Sequence, residues 1–272
     1  MNYLEKLRQS ESILCIGLDP VLEKIPEKGS TEERIVSFFT RILDAIEGED
    51  ASIGAVKPNI AFYEQYGFEG LRALKRVIEL AKHNHIVILD AKRADIGKTS
   101  AAYAKAIFDF WAADATTVSP YMGYDSVAPF IDYCKKGKGV YILTKTSNPG
   151  AEDFQDLPEK GTPLYKEVAK KINGWYTPGI GAVVGATYPA QLKEIVATFK
   201  KPVPLLLPGI GTQGASIQDL PNEVKNRIHR ISAGSSIIYA YQEQRYQNSE
   251  YVEACLKEIK DLNNQIGRVE GV

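Results

Sequence analysis

Residues 88–99 read ILDAKRADIGKT, an apolar run that ends in four charges within six residues, Asp90, Lys92, Arg93 and Asp95. If the run is a strand, alternation sends Asp90 and Lys92 to one face and Arg93 to the other, where a salt bridge would hold it. Lys57 ends another apolar run, SIGAVKP (52–58), and reaches Asp90 if the two strands are neighbours. A lysine–aspartate–lysine row in a partly dry site keeps the lysines protonated and the aspartate ionised. Lys92 can then act as a general acid. The alternative is an ion-pair network that only closes the end of a sheet. Three charged strand ends together weigh against it, because burying charge merely for stability is seldom favourable.

Two glycine-rich turns follow the last apolar runs: Gly209-Ile-Gly-Thr-Gln-Gly214 and Ser232-Ala-Gly-Ser-Ser236. Backbone amides in such turns can hold a phosphate, and glycine allows the close approach this needs. Either turn alone reads equally well as an ordinary bend. His83, His85 and His229 sit at the starts of strands and are expected to be structural. No His/carboxylate set has metal-ligand character, and no Ser-His-Asp arrangement is evident. GIGTQG lies late in the chain without the acidic partner of a dinucleotide fingerprint. No metal and no cofactor is therefore expected.

These residues need elements to position them. The chain has 272 residues, 44% hydrophobic and 25% charged, enough for one large core. Its 33 basic and 34 acidic residues leave a net charge of -1, so neither a nucleic-acid nor a membrane partner is expected. Cys15, Cys134 and Cys255 are odd in number and lack ligand spacing, which reads as reduced core thiols of a cytoplasmic protein. No apolar run approaches the ~20 residues that span a bilayer, and the N-terminus has no signal core.

Short apolar runs recur at 13–19, 52–58, 86–92, 115–121, 139–147, 181–187, 203–211 and 229–236. Continuous runs of this kind fit strands buried on both faces. Helical patterns lie between them. Ser30 to Glu33 forms a capping-box pattern before Ile35, Phe38, Phe39, Ile42 and Ile46. Leu71, Leu74, Val77, Ile78 and Ala81 make a second stripe; Tyr103, Ile107, Phe110 and Trp111 make a third. Residues 191–199 and 251–259 read as further helices. The expected fold is α/β, a (β/α)8 TIM barrel spanning 1–272 as a single domain; eight units without a break favour it over an open doubly wound sheet. In such a barrel the site lies where strands end, which is where Asp19, Lys57, Asp90, Lys92, Asp95 and Ser147 fall. Residues 145–163 form a long polar loop, either a lid over the site or a tolerated surface insertion.

Together these residues resemble the orotidine 5'-phosphate decarboxylase family, its longer bacterial branch in particular. The resemblance rests on Asp90-x-Lys92-x-x-Asp95-Ile-x-x-Thr99, on CIGLDP (15–20), KPNIAFYEQYG (57–67), TSNPG (146–150) and PGIGTQGA (208–215). It implies cofactor-independent decarboxylation of orotidine 5'-monophosphate (OMP) to UMP, the last step of de novo pyrimidine synthesis. It implies a charged tetrad of Lys57, Asp90, Lys92 and Asp95, with Lys92 protonating C6 of the pyrimidine and Asp90 near the departing carboxylate. Lys57 would bond Asp90 and the ribose, Asp19 a ribose hydroxyl, Ser147 the pyrimidine, and Gln213 both base and phosphate. Asp95 and Thr99 would cross a homodimer interface into the neighbouring site.

One departure stands out. The family's phosphate-gripping arginine after the last strand is missing, and Arg230 falls below the barrel mouth. The phosphate would then rest on the amides of Gly211, Gly234, Ser235 and Ser236, or on an arginine from elsewhere. Two rivals remain. One is a metal-dependent, hexulose-phosphate-synthase-like aldolase, against which Lys57 and Gln213 argue. The other is a non-catalytic barrel that binds a sugar phosphate or nucleotide.

Overall fold

The structure, a computed structural model, describes residues 1–49, 51–159, 161–211, 215–246 and 250–267. Eight short parallel strands form one sheet: Leu14–Gly17, Ala55–Lys57, Ile88–Arg93, Ala115–Val118, Gly139–Lys145, Ile180–Val184, Leu205–Pro208 and Arg230–Ala233. They are called first to eighth below. Each pairs with its neighbours in sequence, and the eighth pairs with the first, Ile231 opposite Leu14. Bridges between Val56 and Val87 and between Asn59 and Asp90 join the second strand to the third, so the sheet closes. This is the (β/α)8 barrel expected from the apolar runs, and all eight runs contain a strand.

The lower barrel is filled by side chains. Cys15, Ala55, Ile88, Ala115, Tyr141, Val183 and Leu206 pack inside it. Below them the helix Tyr3–Gln9 plugs the bottom with Tyr3, Leu4 and Leu7. This helix starts on a capping box between Asn2 and Glu5, but at 7 residues it is too short to show periodicity. Arg230 lies fully buried at this end. Its guanidinium donates to the carbonyls of Gly54, Leu7, Arg227 and His229 and to the Ser10 hydroxyl, tying the plug to the barrel. His229 accepts from the Leu205 amide at 2.9 Å, and burial pushes its pKa down to about 3, so it is neutral and structural. His83 and His85 also lie at this end, lining an open cleft of about 650 Å³ beside the plug.

Outside the barrel, the helix Thr31–Gly48 begins on the Ser30–Glu33 capping box and buries Ile35, Phe38, Phe39, Ile42 and Ile46. The helix Gly67–Ala81 buries Leu74, Val77, Ile78 and Ala81. The third stripe needs correction. Gly97–Lys105 is α-helical, but Ala106–Phe110 continues as a π turn. Its wider winding shifts the phase of the stripe. Phe108 becomes buried, while Phe110 is 60% exposed. Two helices not singled out in sequence, Tyr124–Cys134 and Leu164–Gly174, bury stripes at helical spacing, Val127, Phe130, Ile131 and Cys134 on the first and Tyr165, Ala169 and Ile172 on the second.

The long segment after the fifth strand is built rather than free. It contains the 3-10 turn Pro149–Asp153 and a small antiparallel pairing of Pro158–Glu159 with Thr162–Pro163. Lys145, fully buried beneath it, reaches both carboxylate oxygens of Asp156 at 2.8 Å. All three cysteines are buried free thiols, and burial raises their pKa, to about 11 for Cys15 and about 12 for Cys134 and Cys255. Among the described residues no helix is long and apolar enough to cross a membrane.

Arg230 makes a direct prediction. An Arg230→Met substitution strands several buried carbonyls, and a lost hydrogen bond to a charged group is worth ~1.5–3 kcal/mol. The unfolding free energy should therefore fall by about 3 kcal/mol, read as a lower urea midpoint with an unchanged m-value. A midpoint equal to the parent's would remove Arg230 from the anchoring role.

Candidate active site

Asp90 sits where the third strand reaches the barrel mouth. Its amide donates to the Pro58 carbonyl at 2.9 Å and its own carbonyl accepts from the Ile60 amide at 3.3 Å, so the second strand fixes its backbone. Its carboxylate is surrounded by donors. Lys57 Nζ lies 3.3 Å from Oδ2, and Lys92 Nζ lies 2.7 Å from Oδ1 and 2.8 Å from Oδ2. The Thr117 hydroxyl, from the fourth strand, donates to Oδ1 at 2.7 Å. Asp90 is 6% exposed and Lys57 8%, whereas the Lys92 side chain is 49% exposed and opens to the mouth.

The expected lysine–aspartate–lysine row is therefore present, but simple alternation does not place Lys92. The register between the third and fourth strands shifts between Leu89 and Arg93. Lys92 has φ 42°, in the left-handed region that a non-glycine residue adopts only at a cost. A bulge, not the regular pleat, turns Lys92 back over Asp90. Arg93 points away as expected, 3.5 Å from Glu64 with its guanidinium over the Tyr103 ring.

Burial alone would raise the Asp90 pKa. The charges of Lys57 and Lys92, with hydrogen bonds from Lys92 and Thr117, outweigh it and hold the carboxyl at about 2. Burial alone would likewise strip Lys57 of its proton, but the charges of Asp90 and Asp19 outweigh it and raise its pKa. Asp19 accepts the Asn59 amide at 3.0 Å, and burial raises its pKa against the charge of Lys57. Tyr63 donates to the Leu18 carbonyl and Tyr239 to the Asp19 carbonyl, which fixes this segment.

The glycine-rich turns meet at the same corner. A Cβ on Gly17 would lie 2.9 Å from Gly234 Cα, so the ends of the first and eighth strands touch. Gly211 has φ 78° and a Cβ there would lie 2.7 Å from Ser236 Oγ. Gly211, Gly234 and Ser236 thus gather beside Asp19, with Ser235 opening the short helix Ser235–Ile238. The Ser236 hydroxyl is buried without a hydrogen-bond partner among the described residues. Gln213 lies outside the described residues. Arg245, next along the chain, is paired with Glu243 and Glu258 and is not offered to this corner.

Three expected residues stand apart from the Asp90 cluster. Ser147 is half-buried beyond the fifth strand, its backbone packed against Gly185. Asp95 caps the Ile96 amide, and Thr99 is exposed on the helix Gly97–Lys105. Neither Asp95 nor Thr99 hydrogen-bonds the cluster of its own chain. Residues that drew no attention in sequence include Thr117, Asn59 and Lys145. The ATTV run hides Thr117, because a threonine in a buried strand is ordinary until its partner is known. Among the described residues no three His, Cys, Asp or Glu side chains gather as a metal-holding group.

Charge at the C-terminal mouth of a closed, filled barrel is the arrangement of a (β/α)8-barrel enzyme. Residues 12–264 match the model of the Orotidine 5'-phosphate decarboxylase / HUMPS family, and the chain belongs to that family. It is 39% identical to the orotidine 5'-phosphate decarboxylase of Thermomicrobium roseum over 98% of this chain and 96% of that one. It is 44% identical to that of Flavobacterium johnsoniae over 79% of each chain. The solved OMP decarboxylase of Leishmania donovani superposes with a TM-score of 0.79 at 32% identity, covering 98% of this chain and 100% of that one.

The pKa shifts carry signs that can be checked. Asp90 is depressed from the ordinary ~3.9, so its contribution to stability is complete above that value. It is lost as pH falls toward about 2. Lys57 is raised, so its contribution holds below the ordinary ~10.4 and is lost only as pH climbs through its higher folded value. In a Lys57→Met variant, carbon-13 NMR of the Asp90 carboxyl should show its midpoint moving upward from about 2. An unmoved midpoint would show that Lys57 does not hold the charge.

Proposed function

We propose that this protein decarboxylates OMP to UMP without a cofactor, in the cytoplasm, as a homodimer. The Lys57–Asp90–Lys92 chain of contacts at the barrel mouth carries the reading, in a chain whose relatives are named for this reaction. Loss of CO2 breaks the bond to C6 and leaves its electron pair on that carbon. With no electron sink, the protein must stabilise the pair electrostatically, with charges already in place. The Lys92 ammonium, held by Asp90, faces the developing charge and gives C6 its proton, which solvent replaces at the open mouth. Asp90 beside the substrate carboxylate disfavours its ground state.

The remaining roles are those the family resemblance implies. Lys57 holds Asp90 and the ribose, and Asp19 a ribose hydroxyl. Ser147 meets the pyrimidine and Gln213 links base to phosphate. The amides of Gly211, Gly234, Ser235 and Ser236 receive the phosphate, beside the Ser236 hydroxyl, which has no partner among the described residues. Binding energy from the phosphate is spent on assembling the site around the reacting carbon. Asp95 and Thr99, which do not meet the cluster of their own chain, complete the site of a second subunit. The second group in the family description leaves a metal-dependent aldolase as the alternative.

Pure protein with a chelator present should consume OMP, followed as loss of orotate absorbance. No turnover without metal would sink the reading and favour the aldolase. Lys92→Ala should fold normally and lose roughly a thousandfold or more in kcat. Sharing of residues across subunits has its own test. Lys92→Ala and Asp95→Asn proteins, each inactive, should on mixing and re-association recover about a quarter of parental activity, since half the dimers carry one intact site. No recovery despite subunit exchange would refute a shared site.

A further inference from the structure

We propose that Thr117 is a positioning residue for this reaction, its single hydroxyl fixing both the carboxylate of Asp90 and the backbone of Lys92. The inference rests on the decarboxylase reading above and extends it to a residue of the fourth strand. Thr117 is buried beneath Asp90 and is not placed to touch a substrate. A threonine hydroxyl has one hydrogen to give and two lone pairs to receive. Here the hydrogen goes to Asp90 Oδ1 at 2.7 Å, and a lone pair takes the Lys92 amide at 2.9 Å.

The register explains why a side chain must do this. Leu89 faces Thr116 and Arg93 faces Val118, so the stretch from Asp90 to Lys92 bulges over Thr117 alone. The sheet ladder offers no regular acceptor to an amide in that bulge, and Lys92 stands in the left-handed region. The Thr117 hydroxyl replaces the missing ladder bond. It also orients the carboxylate whose two oxygens grip the Lys92 ammonium. Both ends of Lys92, its backbone and its charge, are thereby referred to one atom of the next strand. Without that atom the bulge can relax and the carboxylate can turn, and the ammonium loses its fixed height over C6. A misplacement of about 1 Å at a reacting group can cost on the order of a hundredfold.

Thr116 provides a control on the same strand. It is fully buried, and its hydroxyl donates to the Leu89 carbonyl at 2.8 Å without touching Asp90 or Lys92. Removing either hydroxyl carries the general cost of an unpaired buried group, but only Thr117 reaches the site. The groups facing Asp90 are Lys57 from the second strand, Asp19 and the Cys15 thiol from the first, and Lys92 from its own. All of them remain in a Thr117 variant, so a change in pH dependence would trace to the hydroxyl.

The test compares Thr117→Val, Thr117→Ser and Thr116→Val, each checked for folding by circular dichroism, with Thr117→Ala used if the valine variant does not fold. Thr117→Val should lose roughly tenfold to a hundredfold in kcat with little change in KM. The acid limb of its kcat/KM profile should move to higher pH. Thr117→Ser should restore most of the rate, and Thr116→Val should keep parental kcat. Hydrogen exchange at the Lys92 amide should quicken in Thr117→Val but not in Thr116→Val, a readout that needs no activity. Parental kcat in Thr117→Val, or an unchanged Lys92 amide, overturns the proposal. Absence of OMP turnover by the parent itself would instead overturn the decarboxylase reading and leave the exchange experiment to judge Thr117.

Discussion

A carboxylate taken out of water at the Asp90 position forfeits hydration worth several kcal/mol unless donors replace it. Lys57, Lys92 and Thr117 replace it here, and they come from three adjacent strands. The arrangement requires the second, third and fourth strands to be neighbours in register, which requires the barrel to close between the second and third. Of the backbone bonds that close it, those between Asp90 and residues 58 and 60 sit at the same level as the charges they align, and the bond from Val56 to Ile86 lies below them. Fold closure and the charged cluster are one construction.

The two ends of the barrel use buried charge differently. At the bottom, Arg230 spends its donors on carbonyls and a serine hydroxyl, and its neighbourhood is filled by Tyr3, Leu7 and Tyr141. The guanidinium itself is fully buried, and it ties the plug to the barrel. At the mouth, the charges face an accessible side, Lys92 is half exposed, and its backbone is held in an unfavourable conformation. Such strain persists only where the surroundings over-determine it, and it concentrates at functional sites.

The segment after the fifth strand belongs to the same logic. Lys145, itself fully buried, carries the strand into an ion pair with the partly exposed Asp156 and lies 4.5 Å from the centre of the Tyr188 ring. Gln155 braces Thr146 from both directions, accepting its amide and donating to its hydroxyl. Ser147 therefore leaves a strand whose end is fastened on both sides.

The sequence by itself determined the alternation of eight apolar runs with helical stripes, and with it the barrel. It also marked the strand ends as the place where charge collects, because a buried run that stops at Asp90, Lys57 or Asp19 has a local cause visible in residue type alone. Arg93 was placed correctly by alternation, and Arg230 by its position at the start of its strand. What the sequence could not supply was whatever depends on contact between distant segments. The π turn at Ala106–Phe110 exchanged Phe110 for Phe108 in the core because packing, not periodicity, sets its phase. The bulge that turns Lys92 onto Asp90 appears only when the third strand meets the fourth, since register is a property of the pair. Thr117 was invisible for the same reason: a buried threonine acquires meaning only when its partner across the sheet is a carboxylate.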